Sequence, residues 1–386
     1  MTTRRDSESS GPRSHVTGVI TAFQALGFDV HTFIVGDRIS PRLAHQSESV
    51  LHRSRVHALA ADLARLSMGV LNSRIAWREL GRRVDWVYER LGSFQALGRV
   101  FQQHGALWVL ESNALLFREA KVERQTSVLS GLARRFEFQA YRDCDVLVCI
   151  SEMLKEMICR EADIPSEKIL VVPNGVNTSF FDPARHSQRR LFDGFTVGFV
   201  GRLNSWQALD VVLHAIWELR KEKGLAINLA VVGDGVMKGE WTSLVRQLGL
   251  ADVVRFTGQV SSDDVPSYIA GFDLGYSGQV ALKTSGMYLS PLKTYEYMAM
   301  AKPVLAADFA DSRRLVQASG AGFLFVPGQK DDLKRALSDA YSYRGKLPAM
   351  GWQGRAEIIS HHSWKSRVSE IISGIHSLLE ARNAAI

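Results

Sequence analysis

The sequence predicts an α/β chain of two tandem doubly wound domains with a cleft between them. Short apolar runs alternate with helical patterns along most of the chain, a polar segment over residues 178–193 interrupts that rhythm, and the rhythm then restarts. Runs that are apolar without alternation belong to parallel strands covered on both faces, and such domains bind ligands beyond the C-terminal ends of their strands. At 386 residues the chain has room for two separate cores.

In order, a helical pattern over residues 15–26 leads through Gly27 to a predicted strand over residues 29–35. Further strands are expected over 86–88, 107–110, 146–150 and 169–172, and Pro173-Asn174-Gly175-Val176-Asn177 is the turn that closes the sheet. Residues 1–190 are read as the first domain. In the second, 191–363, strands are expected over 197–200, 229–232, 254–256, 274–276, 304–306 and 323–325. Val368, Ile371, Ile372, Ile375, Leu378 and Leu379 recur at helical spacing, so residues 364–386 read as a terminal helix.

Composition excludes several classes. With 46% hydrophobic and 23% charged residues the chain is globular, and no apolar run approaches the roughly 18 residues of a membrane span. The first residues lack the apolar core of a signal peptide, so a cytoplasmic chain is expected. Cys144, Cys149 and Cys159 are odd in number and lack zinc-site spacing, which predicts buried free thiols. No His-Glu-x-x-His or comparable cluster occurs, and neither a metal nor another cofactor is expected. No Gly-x-Gly-x-x-Gly follows a strand, against a dinucleotide-dependent oxidoreductase.

The net charge is +7, and residues 51–100 hold nine arginines against four acids. Among these arginines are Arg53, Arg55, Arg65, Arg74, Arg78, Arg82 and Arg83. Val56, Leu59, Leu63, Leu66 and Val70 predict a helix with its apolar stripe inward and several arginines in solvent. A solvated face is one reading; the other is peripheral contact with anionic lipid at the inner membrane face, worth about 1 kcal/mol per basic side chain. Nucleic acid is not an expected partner, since no basic-aromatic interleaving is present.

The stretch most suggestive of chemistry is Ser290-Pro291-Leu292-Lys293-Thr294-Tyr295-Glu296-Tyr297-Met298-Ala299, which runs into Met300-Ala301-Lys302-Pro303-Val304. It reads as a helix capped by Ser290, with Pro291 in its first turn, followed by a buried strand. The start of such a helix presents free N–H groups and a positive dipole end, which favour phosphate. Glu296 sits one turn in, placed to accept hydrogen bonds from sugar hydroxyls. Taken alone, the stretch also fits an ordinary amphipathic helix. Arg202 follows a strand that ends in Gly201, where an arginine sets a fixed cation against a leaving diphosphate; taken alone it also fits a surface ion pair. Gly233-Asp234-Gly235 forms a tight turn after another strand. Glu111 and Asn113 end a strand at the predicted cleft, a pattern that a helix cap also produces.

Ser-Pro-Leu-Lys, two residues, Glu-Tyr-Met-Ala and a Lys-Pro-Val turn together resemble the donor-binding helix of retaining glycosyltransferases of family 4. That family has two facing Rossmann-like domains, the arrangement called GT-B. The resemblance implies a hexosyltransferase of class EC 2.4, of polysaccharide-biosynthesis type, that takes a sugar from a UDP- or GDP-linked donor to a saccharide or lipid-linked acceptor. It assigns catalysis to Arg202, Lys293 and Glu296, and donor binding to Gly201, Gly233, Asp234, Val260, Ser290, Pro291 and Leu292. Val260 closes Phe256-Thr257-Gly258-Gln259-Val260, similar to the segment whose backbone binds the base. Gly11, Glu111 and Asn113 are assigned to the acceptor or transferred sugar, with Val87-Tyr88-Glu89-Arg90 and Glu119 sharing the likeness. Its terminal helix is expected to cross back onto the first domain.

Three departures stand out. The first of the family's two glutamates falls on Tyr288, and the Lys-Gly pair after the arginine falls on Gln207 and Ala208, which leaves Lys293 as the replacement cation. The match begins only near Gly11-Pro12-Arg13-Ser14-His15-Val16, so the first strand of the first domain is missing from this sequence or lies upstream. These departures motivate a second reading, a degenerate homologue that acts as a binding partner or scaffold.

Overall fold

The computed structural model describes residues 10–38, 55–81, 84–123, 127–280 and 290–384. Two parallel sheets account for its ten strands: β1 (Trp86–Arg90), β2 (Leu107–Ser112), β3 (Val146–Cys149) and β4 (Ile169–Val171) pair in that order. The second sheet comprises β5 (Thr196–Val200), β6 (Asn228–Val232), β7 (Val254–Gly258), β8 (Leu274–Ser277), β9 (Val304–Ala307) and β10 (Gly322–Phe325). Its order is β10-β9-β8-β5-β6-β7. The winding direction therefore reverses between β5 and β8, and a crevice opens at such a reversal.

The inner strands of the second sheet are buried on both faces, which is why they read as nearly unbroken apolar runs, whereas the edge strand β7 carries the exposed Arg255. Along β6, Leu229 and Val231 join one core with Phe199, Leu213, Ile216 and Trp241, while Ala230 and Val232 join the opposite core with Tyr268, Tyr297 and Met298. Gly198 leaves room for the Phe272 ring to lie directly against β5. In the first sheet, Trp108 and Leu110 face a helical layer that includes Tyr141, Leu154 and Ile158. Val109, Val146 and Val148 face the other way, onto Ile371 and Ile375 of the terminal helix Trp364–Ala384.

The strand expected over residues 29–35 does not form. That segment is extended, Val35–Arg38 is a 3-10 turn, and β1 is the edge of its sheet among the described residues. A strand needs a neighbour to complete its ladder. Instead Phe28 and Val30 pack with Phe23, Trp86 and Tyr88, and Phe33 packs with Trp77 and Val87.

The helix Arg55–Leu80 is turned the opposite way from expectation. Val56 is 74% exposed, Leu63 52% and Val70 55%, whereas Ala58, Asp62, Gly69, Asn72 and Ala76 face inward. Two long-range contacts fix this orientation. The Asp62 carboxylate accepts hydrogen bonds from Ser127 Oγ and the Val128 and Leu129 amides, each 2.9 Å, at the start of the helix Ser130–Asp143. A side chain at Gly69 would overlap the Phe94 carbonyl. Arg53, Arg82 and Arg83 lie outside the described residues. Of the three thiols, Cys144 and Cys149 are buried, but Cys159 is only half-buried, because its helix turns that position toward the surface.

Candidate functional site

The C-terminal ends of β5 and β6 interlock. Gly201 N–H donates to Val232 O at 2.9 Å, Leu203 N–H to Asp234 O at 2.9 Å, and Gly233 N–H to Gly258 O at 3.0 Å. Gly201 and Gly233 have φ of 143° and 134°, conformations open to glycine, and a Cβ on Gly233 would overlap Gly201 O. Asp234 serves this turn directly. Lys238 Nζ, at 2.6 Å, and the Gly235 amide, at 2.8 Å, hold its carboxyl below the usual range. Val260 follows β7 at the same sheet end, half-buried against the second core.

The helix Leu292–Ala299 lies between β8 and β9 and is pinned over them. Tyr297 Oη accepts from Val200 N–H at 2.9 Å and donates to Tyr276 O at 3.4 Å, and Gly275 gives its ring room to sit flat on the sheet. Ser290 does not cap this helix. Its hydroxyl is directed to Tyr295 Oη at 3.5 Å, and Pro291 takes the cap position with no side-chain hydrogen bond. The first N–H of the helix, that of Leu292, donates instead to the Ser290 carbonyl at 2.9 Å. Thr294 Oγ1, fully buried in that first turn, has no hydrogen-bond partner among the described residues.

Lys293 reaches from this helix across to the β5 loop. Its Nζ donates to Gln207 Oε1 at 3.2 Å and stands 5.4 Å from the centre of the Phe199 ring, and its Cε would lie 2.7 Å from a Cβ on Gly201. The replacement cation named from the sequence therefore stands at the very residue it was to replace. Lys293 and Glu296 keep slight surface exposure, yet protein surrounds both. Burial pushes Lys293 down to about 8 against the pull of Glu296, and pushes Glu296 up to about 7 against that of Lys293. Arg202 is exposed in the loop after β5. Gly201, Arg202, Gly233, Asp234, Val260, Ser290, Pro291, Leu292, Lys293 and Glu296 thus all lie at one end of the second sheet. Tyr288 lies outside the described residues.

Ala208, where the resembled family has glycine, adopts φ 50°, and its carbonyl accepts from Tyr276 Oη at 3.0 Å. An alanine is strained there by roughly 1 kcal/mol. Ala208→Gly is therefore expected to leave stability unchanged or to raise it by up to about 1 kcal/mol in urea unfolding, whereas the same change inside a helix costs about that much.

In the first domain, Glu111 lies one residue before the end of β2, 2% exposed. Its Oε1 accepts from His15 Nε2 at 2.7 Å and from Asn113 Nδ2 at 2.7 Å. Burial raises its pKa, but His15, Arg90 and the Asn113 hydrogen bond outweigh burial and hold it at about 2, while burial and Arg90 in turn lower the pKa of His15. His15 Nδ1, Glu111 Oε2, Asn113 Oδ1 and Trp364 Nε1 are buried without partners among the described residues, and the His15 and Trp364 rings meet edge-on at 4.8 Å. Such clustered polar valences call for water or a hydroxylated ligand. The sequence did not single out His15: the pairing joins the first helix, Ser10–Ala25, to a distant strand, and no local pattern reveals it. Gly11 lies one turn earlier on that helix. Glu89 has a structural task, accepting from the Leu97 and Gly98 amides at 2.8 Å and from Trp108 Nε1 at 3.0 Å.

Known proteins share this architecture. Sucrose-phosphate synthase from Thermosynechococcus elongatus matches with a TM-score of 0.67 at 15% identity, over 96% of this chain and 94% of that one. Anabaena HepE in complex with UDP matches at 0.59 and 18% identity, over 80% and 84%. In sequence, an alpha-D-kanosaminyltransferase of Streptomyces kanamyceticus is 24% identical over 251 residues, 62% of this chain and 61% of that protein. A GDP-mannose-dependent alpha-(1-6)-phosphatidylinositol monomannoside mannosyltransferase of Mycobacterium tuberculosis is 26% identical over 215 residues, 54% of this chain and 55% of that protein. The match thus spans less than two thirds of these curated relatives' length. Residues 9–180 match the family model described as Glycosyltransferase Family 4, and residues 194–342 the one described as Glycosyl transferases group 1. With both halves matched and the two-sheet architecture in place, the chain belongs to family 4 of the GT-B glycosyltransferases.

Proposed function

We propose that this chain is a retaining hexosyltransferase that moves a sugar from a UDP- or GDP-linked donor to a saccharide or lipid-linked acceptor. The observation that carries the reading is the Lys293 ammonium, held by Gln207 between the Gly201 loop and the start of the helix Leu292–Ala299. A diphosphate laid across that loop meets Lys293, the helix dipole and Arg202. Negative charge grows on the diphosphate as the glycosidic bond breaks, so fixed cations there stabilise the transition state more than the ground state. The protein itself supplies this positive charge, and the reading calls for no metal or other cofactor. Glu296 accepts from a sugar or ribose hydroxyl, and Asp234 keeps the turn beneath the nucleotide. Across the cleft, Glu111 and Asn113 receive the transferred sugar or the acceptor, with Gly11 at the start of the same wall. No side chain is assigned as a nucleophile.

Two relatives frame the donor. The Mycobacterium tuberculosis protein is named as GDP-mannose-dependent, and HepE was solved with UDP, so both bases stay within the proposal. A scaffold role drew on Gln207 as a lost cation, and Lys293 at that residue weakens this motive. Contact with an anionic membrane face belongs to the same reading, because lipid-linked acceptors reside there. No described helix is long and apolar enough to cross a membrane.

The test is a pair of variants. Glu296→Ala is expected to weaken diphosphate binding by about 1.5–3 kcal/mol, the range for hydrogen bonds to a charged group. Arg202→Ala is expected to depress turnover more than donor affinity. Calorimetry with the diphosphate and with its sugar conjugate, paired with donor hydrolysis, reads both quantities, and unchanged binding of both ligands in Glu296→Ala would move the donor site elsewhere.

A further inference from the structure

We propose that the outward face of the helix Arg55–Leu80 docks on an anionic bilayer by inserting apolar side chains among the headgroups, with its arginines at the phosphates. This deepens the membrane contact of the reading above and names its surface. At about 100° per residue, Val56, Leu63, Val70, Arg74 and Arg78 fall within about 80° of one another. Leu59 and Leu71, 38% and 56% exposed, flank them. A surface helix ordinarily turns such residues inward and leaves polar ones outside. Here Ala58, Asp62, Gly69, Asn72 and Ala76 are the buried ones.

The charges on this helix are arranged as consistently as its apolar residues. Its two acids are both engaged: Asp62 is buried against Arg65 at 2.8 Å, and Glu79 pairs with Arg38 at 2.5 Å. The outward face therefore presents arginine without acid. The segment that Asp62 holds against the inward side of this helix also bears exposed apolar and basic residues. There Val128 and Leu132 are 45% and 44% exposed, and Arg134 and Arg135 are exposed beside them.

One occupant fits both properties. A second copy in a twofold contact would bring the same arginines to a face that offers no acid to pair with them. A bilayer with anionic headgroups offers an apolar layer for the valines and leucines and phosphates for the guanidinium groups, which long arginine stems reach. A face held by charge alone would need no exposed leucines. Insertion predicts a binding component that survives screening.

The test is co-sedimentation of the full chain with phosphatidylcholine vesicles and with vesicles containing phosphatidylglycerol, at low and high salt. The expected result is preferential binding to the anionic vesicles, weakened but not abolished by salt. Arg74→Glu/Arg78→Glu is expected to lower partitioning at least about tenfold. Leu63→Glu/Val70→Glu is expected to remove the salt-resistant part, and both variants should keep the melting temperature and diphosphate binding, since all four positions are exposed. Failure of the unmodified protein to bind anionic vesicles while it binds diphosphate overturns the docking face and leaves the transferase reading intact. A dimer in solution that Leu63→Glu/Val70→Glu dissociates overturns it in favour of a second copy. Vesicle binding without diphosphate binding supports the face and counts against the transferase.

Discussion

Lys293→Met is expected to lower turnover by about 10²–10³-fold, the usual consequence of removing one preorganised group aimed at developing charge. Methionine keeps the stem that packs over Phe199 and beside Gly201, so the change isolates the ammonium from the volume it fills. The folded protein should not suffer. Burial already disfavours the charged lysine and draws it down to about 8, so a neutral side chain removes a desolvated charge and stability should hold or rise. The same lysine sets a pH limit for diphosphate binding by the unmodified protein. Above about 8 the free protein must take up a proton at Lys293 to bind a diphosphate, so affinity falls as pH rises. Below about 7 Glu296 is protonated and loses one acceptor role, so affinity for the sugar nucleotide falls there too. Binding should therefore peak between these two values, and in Lys293→Met the alkaline fall should vanish. A variant with full turnover, or with the alkaline fall intact, would remove Lys293 from the site.

Gly233→Ala is expected to be the most damaging single methyl group in the second domain. Its φ of 134° is a conformation L residues rarely adopt, and the added Cβ meets the Gly201 carbonyl at the crossing of the β5 and β6 loops. Backbone strain and overpacking together amount to about 3–5 kcal/mol, which lowers the melting temperature by roughly 10 °C and abolishes diphosphate binding. Gly239→Ala is the control. It lies in the helix Lys238–Gln247 with nothing near its missing Cβ, so that change should leave the melting temperature unchanged or raise it. Equal melting curves for the two variants would show that the loops are not locked as described.

The inner strands among the described residues were legible because a parallel strand buried on both faces is largely apolar, a signal carried by the residues themselves and weaker in the edge strands β1 and β7, which hold Glu89, Arg90 and Arg255. The exception, residues 29–35, shows its limit, since a strand also needs a neighbour and no described segment pairs with it. The orientation of the helix Arg55–Leu80 was read backwards for a related reason. Its leucines and valines suggested the core, but Asp62 and Gly69 set the rotation through the Val128–Leu129 amides and the Phe94 carbonyl, which are far away in sequence. Ser290 misled more locally, because Tyr295 takes the hydroxyl expected to cap the helix. Lys293 was the reverse case: the resemblance to the family named it as the substitute for a cation at Gln207, and the two side chains do meet. His15 gave no signal, because only the folded chain brings the first helix to Glu111.

Calorimetric titration of the unmodified protein with uridine and guanosine diphosphates, accompanied by a hydrolysis assay over the corresponding nucleotide sugars, tests the central claim most directly. The predicted result is saturable binding of at least one diphosphate near pH 7–8, with slow release of that same diphosphate from one of its sugar conjugates. Binding of neither diphosphate, together with no hydrolysis of any donor, would contradict the transferase reading and favour a homologue that keeps the fold without the reaction.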